Sequence, residues 1–94
     1  MGMFNVSVLQ TYEAKWNLVN SEKLDTTGIL SAKVVASDFG TSACFFLSNG
    51  KRSYMPMSIN GTKLNVNDVI DLQRVTVETL HRDGQKDIYR CRID

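Results

Sequence analysis

Proline is nearly absent from these 94 residues, occurring only at Pro56, and histidine and tryptophan also occur once each, at His81 and Trp16. A lone histidine has no second imidazole with which to share a metal ion. His81 lies in the turn sequence HRDG with no carboxylate at metal-ligand spacing, so no metal site and no cofactor are expected. Cysteine is equally scarce. Cys44 and Cys91 sit inside separate apolar runs, which reads as two reduced, buried thiols and a cytoplasmic setting rather than a disulfide framework. No apolar stretch approaches the roughly 18 residues that a membrane-spanning helix requires, so no membrane partner is expected.

A charge of one sign is lacking as well. Eleven Lys and Arg against ten Asp and Glu leave a net charge of +1, so bulk charge does not mark the chain as a nucleic-acid binder. Catalytic signatures are missing too. There is no phosphate-cradling glycine loop, dinucleotide fingerprint or nucleophile motif, and the stretch GTSACF offers serine and cysteine without a nameable base. The expectation is a protein that is not an enzyme.

What is present is ordinary globular material, 43% hydrophobic and 22% charged. A chain of this length supports one core, and a single domain over 1–94 is expected. From Gly28 onward it reads as short strands separated by turn formers, the pattern of a small all-β protein. Residues 29–37, ILSAKVVAS, place Leu30, Ala32, Val34 and Ala36 on one face and Ser31 and Lys33 on the other.

Strands 41–48 and 51–57 share the Asn49-Gly50 turn, where a slip of one residue turns every side chain over. Two registers compete. A two-residue loop groups Leu47, Phe45, Tyr54 and Arg52 against Phe46, Cys44, Met55 and Met57, which leaves neither face clean. A three-residue loop with Gly50 in the left-handed position instead gathers Ala43, Phe45, Leu47, Met55 and Met57 inside. Cys44, Phe46, Arg52 and Tyr54 then face outward. The second register is preferred because apolar burial, at roughly 25 cal/mol per Å², outweighs the small differences between turn types.

Pro56 cannot donate to a ladder and marks an edge or an end. Residues 58–68 read as loop, and 69–80 as a long strand whose alternation slips at Gln73-Arg74, the mark of a β-bulge. After the HRDG turn, strand 86–93 places Tyr89, Cys91 and Ile93 on one face and Ile88, Arg90 and Arg92 on the other. At the N-terminus Phe4, Val6 and Val8 alternate as a strand, while Tyr12, Trp16 and Val19 fall at the spacing of a short helix.

The run SDFGTSACFFLSNGKRSYMPMS followed by LNVNDVIDLQRVTV resembles an OB-fold over residues 29–94. That resemblance implies a five- to six-stranded antiparallel barrel of Greek-key type, to which the spacing of Tyr12, Trp16 and Val19 adds one short N-terminal helix; an SH3-like or other small β-barrel is the alternative. OB-folds commonly bind single-stranded nucleic acid or oligosaccharide across their second and third strands, which the resemblance carries onto Phe46, Arg52 and Tyr54.

The residues' own chemistry leads to the same strands. Bases stack on aromatic rings and neighbouring cations neutralise phosphate. Lys51 adjoins Arg52, Lys33 extends the surface, and Arg90 and Arg92 form a second cationic strip. The expected function is a non-catalytic module binding single-stranded DNA or RNA, such as an accessory replication or recombination factor. The alternative is a protein-interaction or assembly module that uses the same amphipathic face toward a partner protein or a second copy, since Tyr and Arg are enriched in such interfaces too.

Overall fold

A computed structural model describes residues 15–38 and 40–94. The expected strand through Phe4, Val6 and Val8, and Tyr12 of the expected helix, lie outside the described residues. Among the described residues six strands form one sheet: β1 (Asn17–Lys23), β2 (Ile29–Ser37), β3 (Gly40–Leu47), β4 (Arg52–Gly61), β5 (Val75–His81) and β6 (Ile88–Ile93). The all-β class therefore holds. Their order across the sheet is β1-β5-β6-β4-β3-β2.

Two features depart from a closed antiparallel barrel. Among the described residues the sheet is open between β1 and β2, its two ends, which the Leu24–Gly28 connection joins along the chain. In addition, β4 pairs with β6 in parallel, linking Met57 to Cys91 and Gly61 to Ile93. This pair unites the meander β2-β3-β4 with the hairpin β5-β6. At its end Gly61 has φ +87, and a Cβ there would run into the Ile93 carbonyl oxygen. The adjacent Thr62 N–H donates to that same carbonyl at 2.7 Å, so the backbones meet too closely for any side chain.

The hairpin between β3 and β4 takes the three-residue register. The Leu47 N–H donates to the Lys51 carbonyl at 2.9 Å, the Gly50 N–H donates to the Leu47 carbonyl at 3.0 Å, and Gly50 has φ +84. Phe46 then opposes Arg52, Cys44 opposes Tyr54 and Ala43 opposes Met55. Ala43, Phe45 and Met57 accordingly join Ala32, Val34, Ile70, Val75, Cys91 and Ile93 in the core, with Leu47 and Met55 packed against it. Both cysteines are buried free thiols, and burial pushes the Cys91 thiol up to about 12, which keeps it protonated and unreactive.

Four sequence expectations are corrected. Leu30 does not face the core: the β2-β3 register shifts between Ile29 and Ser31, so Leu30 is bulged out and 69% exposed. Trp16 and Val19 are not helical, because Trp16 lies in a bend and Val19 belongs to β1, again at a register shift. Residues 58–61 continue β4 instead of forming loop. The irregularity at Gln73-Arg74 is a 3-10 turn over Leu72–Arg74 rather than a bulge. Asp71 caps that turn, its carboxylate accepting from the Gln73 N–H at 3.0 Å, and the chain becomes extended again only at Val75.

β5 is covered on both faces. Val75 lies in the core, while Thr76, Glu78 and Leu80 on the alternate positions are also buried. On the outer edge of β2, the Val34 N–H donates to the Asp68 carbonyl at 2.9 Å and the Ile70 N–H donates to the Ala32 carbonyl at 2.9 Å. The stretch 67–70 thus runs along β2 like a short added strand. Among the described residues no helix is long and apolar enough to cross a membrane.

Candidate nucleic-acid interface

Side chains alternate across a strand, and directly opposed residues of an antiparallel pair share a face. With Ala43, Phe45 and Met55 inward, the face of β2-β3-β4 turned away from the core is set by pairing alone. One row across it reads Lys33, Cys44, Tyr54, and the neighbouring row reads Ser31, Phe46, Arg52. The isolated bridge between Lys33 and Val69 adds Val69 to the end of the first row.

Phe46 is the centre of this arrangement. Lys33 reaches it from β2, with Nζ 5.9 Å from the ring centroid, and Arg52 reaches it from β4, with Cζ at 5.4 Å. Both lie within the roughly 6 Å over which a ring face attracts a cation. Tyr54 is 59% exposed, Phe46 is half-buried, and Cys44 between Lys33 and Tyr54 is buried. Lys51 is exposed at the hairpin turn, where the Asn49 side chain accepts its backbone N–H at 2.9 Å.

Charge is segregated in space as well as along the chain. From Thr26 to Asn67 the sequence carries one acid, Asp38, against Lys33, Lys51, Arg52 and Lys63. Among the described residues these four cations make no ion pair. The carboxylates that do pair belong to the other half of the molecule.

Arg90 and Arg92 stand in that other half and are not brought to Phe46. Arg90 Nε lies 2.8 Å and Arg92 Nη1 3.1 Å from the carboxylate of Glu78, whose side chain is only 3% exposed. Arg92 Nε also reaches Asp94 at 3.0 Å, and Asp94 takes Lys23 Nζ at 2.7 Å and the Thr76 hydroxyl at 2.6 Å. Hydrogen bonds from Lys23, Thr76 and Arg92 hold the Asp94 carboxyl well below the usual carboxylate range. Its hydrogen bond to Asp94 first, and then the charge of Asp94 and Glu78, raise the affinity of the Arg92 guanidinium for its proton. These two arginines knit β6 to β5, and through Asp94 to β1.

Val69 is the member of the face that sequence reasoning missed. It is 78% exposed, and the only signal for it is a nonlocal bridge to Lys33. A valine opening an apparent strand gives no hint that it will stand beside a lysine on another element.

Comparison with protein-family models, with curated proteins and with solved structures finds no match for this chain.

Proposed function

We propose that the protein is a non-catalytic binding module for single-stranded nucleic acid, and that the ligand lies across β2, β3 and β4. One observation carries this reading: three strands present an aromatic pair, Phe46 and Tyr54, among cations that no carboxylate of the described residues neutralises. Exposed rings take unstacked bases, while Lys and Arg displace counterions from phosphate. A cation without an acidic partner gives up no ion pair when phosphate arrives. The near-neutral net charge is compatible with this because the excess positive charge is concentrated in the meander.

The topology supports an OB-like reading. A meander joined to a hairpin through a parallel strand pair, with the sheet left partly open, suits that class of small Greek-key folds. In such a fold the second and third strands would be β3 and β4, where Phe46, Arg52 and Tyr54 stand.

The test is fluorescence anisotropy with a labelled single strand at low salt, competed by the same strand unlabelled and by its duplex. The single strand should compete strongly and the duplex weakly, because a duplex keeps its bases stacked. Absence of binding, together with a dimer by light scattering, would favour an assembly module using the same face.

A further inference from the structure

Resting on the nucleic-acid reading, we infer that Phe46 is a positioning residue that holds Lys33 and Arg52 as a two-cation seat for phosphate, leaving the nucleobase to Tyr54. The evidence is the company each ring keeps. Phe46 rises from β3 between two strands, and each of those strands lays a cation over it, at 5.9 Å for Lys33 and 5.4 Å for Arg52. Among the described residues no cation lies over the Tyr54 ring, which is 59% exposed.

A stacking base needs a bare π face. At Phe46 it would have to displace a cation, and that cation is the group its own phosphate requires. At Tyr54 nothing has to move.

The ring also gives a restraint to two long cationic side chains that have no carboxylate partner among the described residues. A lysine or arginine on an exposed strand ordinarily samples many rotamers, and fixing it on binding costs entropy. Attraction to the ring quadrupole restrains both before any ligand arrives, yet leaves their positive charge uncompensated. A carboxylate in place of Phe46 would restrain them as well but would repel phosphate.

The experiment compares two probes of equal length, an oligothymidylate and an abasic oligodeoxynucleotide, against the full chain at one low salt concentration. Phe46→Leu should weaken both by the same factor, roughly three- to tenfold, as for the loss of one or two exposed cation–π contacts. Tyr54→Leu should weaken the oligothymidylate and leave the abasic strand unchanged. Phe46→Trp, which keeps a strong π face and most of the volume, should bind both probes at least as tightly as the unaltered protein.

Weakening of the oligothymidylate alone by Phe46→Leu would overturn the inference and make Phe46 a base platform, while leaving the nucleic-acid reading intact. Tighter binding of the oligothymidylate alone by Phe46→Trp would overturn it in the same way. If the unaltered protein bound neither probe, the reading on which the inference rests would fall with it.

Discussion

The Nε of Arg90 lies 2.8 Å from the carboxylate of Glu78, and the two side chains keep only 12% and 3% of their surface in solvent. With Arg92 on its second oxygen, Glu78 is a buried anion satisfied by two guanidinium groups. Removing it takes the Glu78 carboxylate from a nearly buried guanidinium. Glu78→Ala should lower the unfolding free energy by about 3 to 5 kcal/mol, read as a shift of the urea midpoint at unchanged slope. Arg92→Ala, whose side chain is one-third exposed and screened by solvent, should cost clearly less. Equal losses for the two variants would contradict this assignment.

Gly50 and Gly61 both have positive φ, but only Gly61 faces an obstacle, the Ile93 carbonyl. Gly50→Ala should therefore cost only the backbone strain, about 1 to 2 kcal/mol. Gly61→Ala should cost that and about 1 to 3 kcal/mol more, because β4 must move off β6. Thermal unfolding of the pair measures the difference. Closely matched midpoints would mean that the β4-β6 approach is looser than described.

Asp94 is bonded by Lys23, Thr76 and Arg92, and its carboxyl titrates well below the ordinary value of 3.8. A carboxyl depressed by folding stabilises the native state at every pH above its unfolded value. That contribution is lost as pH falls below about 4 toward the folded value. Urea midpoints measured from neutral pH downward should drop in this range, and Asp94→Asn should flatten the drop. An equally steep drop in the variant would remove Asp94 from the account.

His81 behaves with the opposite sign. Its Nδ1 lies 2.7 Å from Asp87, whose hydrogen bond is the main cause of a proton affinity raised above the ordinary 6.5, and Nε2 lies 3.4 Å from Asp83. The clasp across the β5-β6 turn is therefore complete below pH 6.5 and is lost as pH rises through the higher folded value. Proton NMR should give a His81 midpoint above 6.5, falling in Asp87→Asn. A midpoint at or below 6.5 in the unaltered protein would contradict it.

Local signals make the β3-β4 hairpin legible from sequence. Gly50 permits the left-handed turn, and the burial of Ala43, Phe45 and Met57 selects the register, so the faces of Phe46, Arg52 and Tyr54 follow. The errors fall where a partner distant in sequence decides. Leu30 continues a clean alternation, but the bulge in β2 turns it out. The burial of Glu78 is decided by Arg90 and Arg92, which arrive on β6. The parallel β4-β6 pair and the Lys33-Val69 bridge leave no mark in local pattern at all, since each joins residues that only the folded sheet brings together.

The central proposal is that the meander face neutralises phosphate with Lys33 and Arg52, which pair with no acid among the described residues. The most direct measurement is the dissociation constant for an unstructured oligonucleotide over a series of salt concentrations, for the unaltered protein and for Arg52→Ala. The account expects log affinity to fall linearly with log salt, and Arg52→Ala to reduce the slope by about 0.7, the value of one single-strand phosphate contact. Binding that is insensitive to salt, or a slope unchanged by Arg52→Ala, would contradict it.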